Sequence, residues 1–143
     1  MFDRWVEKVS QPGGESLLDV LDKSGIGCIV FSPLAQGLLT DKYLNNIPPS
    51  SRVGRGLANG ALQRQDINEK VLKKISKLNE MAAGRNQSLA QMALAWILKD
   101  HRITSVLIGA STTTQLTSNL DCLLNISFEK EEVLEIESVL LGE

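Results

Sequence analysis

Two short apolar runs limit what this chain can become. Residues 26–31 (IGCIVF) and residues 105–109 (SVLIG) carry no charge and no polar alternation. A half-solvated strand alternates, so an unbroken run reads as a strand covered on both faces, as in the parallel sheets of α/β proteins. Each run leads into small uncharged residues and then into helical sequence, which is the pattern of a βα unit. The first connection, FSPLAQGLLT at residues 31–40, has no charge where water is expected, and the second, ASTTTQLTSN, has none either. Ligands of parallel sheets gather outside the carboxyl ends of the strands, so residues 32–40 and 109–119 are expected on one functional face.

Helical periodicity fills much of the rest. Residues 15–24 put Leu17, Leu18 and Leu21 on one face, with Gly25 as the stop. From about residue 66 to residue 83, Val71, Leu72, Ile75, Leu78 and Met81 or Ala82 form a stripe that Gly84 closes. Ser88-Leu-Ala-Gln91 is a capping box, in which the serine accepts from a backbone N–H three residues on and the glutamine reaches back. Leu89, Met92, Ala93, Trp96 and Ile97 recur behind it, which makes Trp96 a core residue rather than a ligand-stacking one. A helix is expected to run to about Leu124. A last one, with Ser127 as N-cap and Glu129, Glu131 and Glu132 in its first turn, should end near Leu141. Those glutamates complement the helix dipole rather than bind metal.

The 143 residues have the length of one domain, and a net charge of -2 gives no reason for nucleic acid or membrane as a partner. The Gly/Arg-rich loop is the one feature a nucleic acid would use. No apolar run approaches a membrane span, and the first residues lack the apolar stretch of a signal peptide, so a cytoplasmic protein is expected. Cys28 and Cys122 have no second ligand at metal spacing and read as buried thiols. His101 is the only histidine, which leaves nothing for a histidine-rich metal site; it reads as a solvated helix-end residue. From residue 42 to residue 64 the charges are all basic, Lys42, Arg52, Arg55 and Arg64, in a Gly/Pro-rich loop long enough to be functional.

The two uncharged connections suit a phosphorylated ligand. Small residues let backbone N–H groups approach phosphate oxygens, a helix N-terminus adds positive potential, and Lys42, Arg52 and Arg55 are near in sequence. Each segment also reads as a plain tight turn, and Thr112-Thr-Thr-Gln115 as another capping box, so local chemistry leaves both readings open.

The strings themselves go further. GIGCIVFSPLAQGLLTDKY resembles the strand-seven region of the aldo-keto reductases, and SVLIGASTTTQLTSNL is similar to their strand-eight region. The LAQMALAWIL helix between them and IPPSSR match as well, so the resemblance covers nearly the whole chain. The branch it looks most like contains bacterial glyceraldehyde-3-phosphate reductases and potassium-channel β-subunits. The resemblance implies an α/β fold: the C-terminal part of a (β/α)8 TIM barrel, incomplete and helix-rich here, forming a single partial domain over residues 1–143. It implies NADP(H) as cofactor and, in the complete fold, reduction of small aldehydes and ketones. Ser32, Pro33, Leu34, Gln36 and Gly37 match the loop around the nicotinamide-side phosphates. Lys42 and Arg52 match basic positions of the loop that folds over the cofactor, and Gly109, Ser111, Gln115 and Asn119 match the adenosine end.

Three departures from the family pattern follow. Thr112 stands where many relatives have a basic residue for the ribose 2′-phosphate, which should weaken NADP(H) preference. Ser118 stands where an acidic residue is usual, which should loosen adenine recognition. The family's catalytic Asp, Tyr, Lys and His belong to the half of the barrel before this chain, and Met1-Phe-Asp-Arg-Trp5 resembles the segment after strand six. Tyr43 and His101 sit in no matching context, so no catalytic residue is assigned. The expected partners are a carbonyl substrate and an oligomer or a complementing N-terminal chain. The alternative is a non-catalytic NADP-binding or interaction module.

Overall fold

Ser16 opens the first helix by a reciprocal cap: its hydroxyl accepts from the Asp19 N–H at 3.2 Å while the Asp19 carboxylate accepts from the Ser16 N–H at 2.9 Å. In the computed structural model, which describes residues 7–9, 12–49, 51, 53–56 and 62–142, the order is α1 (Leu17–Lys23), β1 (Cys28–Val30), α2 (Glu69–Gly84), α3 (Leu89–Leu98), β2 (Ile103–Val106), α4 (Thr113–Leu120) and α5 (Lys130–Leu141). Short 3-10 turns lie at Ala35–Gly37, Asp41–Tyr43, Arg64–Asp66 and Asp121–Leu124. None of the described helices is long and apolar enough to cross a membrane.

The strands pair in parallel, Cys28 with Ile103, Ile29 with Ser105 and Val30 with Val106. One step along β1 matches two along β2, so Thr104 is an extra residue, a bulge. Its hydroxyl takes the place of a ladder acceptor and receives the Cys28 N–H at 3.1 Å. A Cβ on Gly27 would stand 2.7 Å from that same oxygen, so the close approach requires glycine here. The second strand therefore lies at Ile103–Val106, earlier than residues 105–109, because pairing with β1 rather than hydrophobicity decides which residues are extended.

The core is mainly helical. Ile75, Leu78 and Ala82 of α2 meet Leu89, Met92, Ala93 and Trp96 of α3 and Ile136 of α5, with Leu39 and Tyr43 closing one end. α3 is buried on nearly every side, from Met92 to Trp96, as expected of a helix that is hydrophobic all round. Cys28 and Cys122 are free and buried, and His101 is exposed. Gly84 is the last residue of α2, as expected, and the left-handed position beyond the cap is taken by Asn86, at φ 57°. Ser127 does not cap α5. Its carbonyl accepts from Arg85 at 2.8 Å, so the helix starts later, at Glu129, whose N–H the Glu132 carboxylate accepts at 2.7 Å. Arg85 also donates to both Glu132 oxygens and lies over the Phe128 ring at 3.8 Å, and Phe128 meets Trp96 edge to face.

The expectation of strands covered on both faces holds for one face only. Cys28 turns toward the helices, while Ile29, Phe31 and Leu107 are 68%, 74% and 65% exposed on the other side. Nothing among the described residues covers that side or pairs with the outer edge of either strand. Unpaired edges beside an apolar face template association. Sedimentation velocity is expected to reveal concentration-dependent association that Ile29→Lys reduces; a monodisperse wild-type monomer at every concentration would contradict this.

At the amino ends of the strands Arg102 donates to Asp100 and to Asp19 of α1, both at 2.6 Å, joining the two βα segments. Asp19, Asp100 and Glu132 all titrate below the usual carboxylate range. Hydrogen bonds from the Ser16 hydroxyl and amide lower Asp19, with Arg102 adding to them. Hydrogen bonds from Arg102 lower Asp100, and at Glu132 the Glu129 N–H and Arg85 outweigh the upward push of burial. A carboxylate with a depressed folded pKa stabilises fully above its unfolded pKa, and that contribution is lost as pH falls through the folded one. The urea midpoint is therefore expected to be level above about pH 5 and to fall below about pH 4, less steeply in Arg102→Met. An identical acid limb in that variant would show that the ion pairs contribute nothing.

Candidate functional site

Where β1 ends, the chain enters the left-handed region repeatedly: Ser32 at φ 52°, Ala35 at 46°, Gln36 at 57° and Gly37 at 94°. Three of these are not glycine, and each such residue costs on the order of 1–2 kcal/mol. The loop is held in this shape by its own hydrogen bonds. Ala35 N–H donates to Ser32 O at 3.0 Å, Gly37 N–H to Leu34 O at 2.9 Å, and the Thr40 hydroxyl to Gly37 O at 2.6 Å. Below it Leu38, Leu39 and Tyr43 are buried. Most of the loop's bonds are between its own backbone groups and its leucines enter the core, while the Ser32 side chain stays exposed.

Beyond β2, Thr112 caps α4, its hydroxyl accepting the Gln115 N–H at 3.1 Å. The Gln115 side chain reaches past Thr112 to accept the Ser111 N–H at 2.9 Å. Its Oε1 is thereby committed to the turn, and its amide Nε2 is left for solvent or ligand.

Because β1 and β2 are parallel, these two loops share one end of the sheet. Between them lies a cleft of about 990 Å³, the size of a small-molecule site. The N-terminus of α3, at Ser88, Leu89 and Ala90, also lines it, as do Asn79 of α2 and the strand-end residues Phe31 and Leu107.

The model of the aldo/keto reductase family matches residues 12–141. The chain belongs to the aldo/keto reductase family. Two relatives named L-glyceraldehyde 3-phosphate reductase, from Escherichia coli O157:H7 and Escherichia coli strain K12, are each 49% identical to it over 138 residues. The match covers 96% of this chain but 38% of each relative, so this aldo-keto reductase chain spans well under half the length of those proteins.

Within this family member nine of the sequence-derived candidates line the cleft: Ser32, Pro33, Leu34, Gln36, Gly37, Lys42, Gly109, Ser111 and Gln115. Arg52 lies outside the described residues. Arg55 is exposed and away from the cleft walls, and Asp41 stands beside Lys42 on them. Asn119 is not on the wall either. It is 4% exposed, in the last turn of α4, and its Nδ2 has no hydrogen-bond partner. Sequence reasoning passed over Phe31, Asn79 and Ser88 as site residues. The Ser88 capping box was the available signal, since it marks a helix start, whereas nothing local to Asn79 distinguishes it from any polar helix position.

A buried donor without a partner contributes no bond that a substitution could remove. Asn119→Leu is therefore expected to lower ligand-free stability by less than about 1 kcal/mol in urea denaturation, and a loss several times larger would reveal a contact made by the carboxamide.

Proposed function

We propose that this chain is the cofactor-holding, C-terminal part of an NADP(H)-dependent aldo-keto reductase barrel. The observation that carries the reading is that the loops beyond both strands open into one shared cleft. Its residues fit a dinucleotide. A Cβ on Gly109 would project into open space, so the glycine leaves room for close approach rather than relieving a clash. The left-handed Ser32–Gly37 loop offers small uncharged groups to phosphate, and Lys42 supplies positive charge. Ser111 presents a hydroxyl to the 2′-phosphate, while the Thr112 hydroxyl caps α4 and brings no charge that would strengthen the hold. Asn119 lies buried beside the wall with its Nδ2 unpaired; its carboxamide has the donor and acceptor that a purine's N7 and N6 would pair with, once the side chain turns toward the cleft.

NADPH, when bound, supplies the hydride; this chain orients it. Tyr43 borders the cleft but is only 2% exposed and packs into the core, and His101 lies exposed before β2, at the opposite end of the strands from the cleft. The proton donor to the carbonyl oxygen is accordingly assigned to a segment outside this chain. The bare face of Ile29, Phe31 and Leu107 favours the same division: further strands of a family barrel, in the same polypeptide or a separate one, would cover it. The names of the relatives favour a phosphorylated aldehyde as the substrate class of the complete barrel.

Titrating the chain with NADPH and following cofactor fluorescence is expected to give saturable but weak binding, with no NADPH consumed on adding glyceraldehyde 3-phosphate. Absence of binding would sink the cofactor reading. Turnover by the chain alone would overturn the assignment of the proton donor elsewhere.

A further inference from the structure

Gln91 uses both ends of its carboxamide. Oε1 accepts the Ser88 N–H at 2.7 Å, completing the α3 cap, and Nε2 donates to the Ser118 carbonyl at 2.7 Å. One orientation of the amide serves both, because the first partner is a donor and the second an acceptor. The Ser118 carbonyl belongs to the last turn of α4, where intrahelical partners run out. The Asp121 N–H takes the carbonyls of Thr117 and Asn119 on either side, and Gln91 reaches across from another helix for the one between them. Ser88 and Ser118 both line the cleft, while Gln91 stays behind its wall. The residue after Ser118 is Asn119, buried and with its Nδ2 unpaired.

We propose that Gln91 is a positioning residue for the purine end of the cofactor: by holding the Ser118 carbonyl it sets where the end of α4 carries Asn119. This rests on the reading of the cleft as an NADP(H) site. The bond couples the start of α3 to the end of α4, so the geometry at the adenine end is determined by a side chain that touches no cofactor. A capping role alone needs only the Ser88 bond, and the two bonds can be separated chemically. A glutamate at this position keeps the cap, since its carboxylate accepts the Ser88 N–H, but it has no donor for Ser118.

The test is isothermal titration of the full chain with adenosine 2′,5′-bisphosphate and, separately, with nicotinamide mononucleotide, alongside thermal melts. Gln91→Glu is expected to weaken the bisphosphate about three- to tenfold, the effect of one hydrogen bond, and to leave the mononucleotide nearly unchanged, with a lowered melting temperature because the bond to Ser118 is lost. Gln91→Leu, which adds no charge, should lose the same affinity and also the stability of the cap, excluding carboxylate repulsion as the cause. If both Gln91 variants bind the bisphosphate normally while Asn119→Leu does not, the positioning role is wrong and the cofactor reading stands. Equal weakening for both ligands, tracking a loss of melting temperature, would likewise reduce Gln91 to a cap. If Asn119→Leu binds the bisphosphate normally, the positioning role fails; if the wild type binds neither half, the cofactor reading fails and the positioning role with it.

Discussion

The parallel pairing of β1 with β2 is the contact on which the rest depends. Two strands running the same way bring both carboxyl ends to one side, so loops far apart in the chain face each other across a cleft. An antiparallel pair would send them to opposite ends. The pairing is short and irregular, and it survives the Thr104 bulge because the threonine hydroxyl replaces the missing acceptor for Cys28 and Gly27 leaves space for it. α3 packs behind β2, and Arg102 ties its amino end to α1 through Asp19.

The cleft is built from backbone conformation more than from charge. Ser32, Ala35 and Gln36 are held in a region that disfavours side chains, against hydrogen bonds within the loop and leucines anchored below it. A loop so constrained does not need a ligand to take its shape, which is the preorganisation that binding sites use to reduce ordering costs. The unpaired Nδ2 of Asn119 belongs with this arrangement: the fold buries a donor it does not satisfy, and Gln91 holds the helix end that carries it.

The two sides of the sheet differ. Behind it, α2, α3 and α5 form a filled core stitched by Arg85, Phe128 and Trp96. In front of it, Ile29, Phe31 and Leu107 meet no described side chain that covers them. The described residues supply helices enough to make a core but only two strands, so the helical side is well packed and the other sheet face bare.

The sequence by itself determined what depends on near neighbours. The Ser88 and Gln91 cap, the α2 stripe through Ile75, Leu78 and Ala82, and the uncharged character of residues 32–40 were legible because capping, helical periodicity and loop composition act within a few residues. Shared placement of the two loops was legible too, through the chemistry of βα units. Tertiary structure decided the rest. Register with β1 moved the second strand to Ile103–Val106, and Arg85 took the Ser127 carbonyl and delayed α5. The burial of Asn119, the bond from Gln91 to Ser118 and the uncovered face of Ile29 were all invisible to local reading. Each depends on which distant residue arrives, or fails to arrive, at a given atom, and no local preference encodes that.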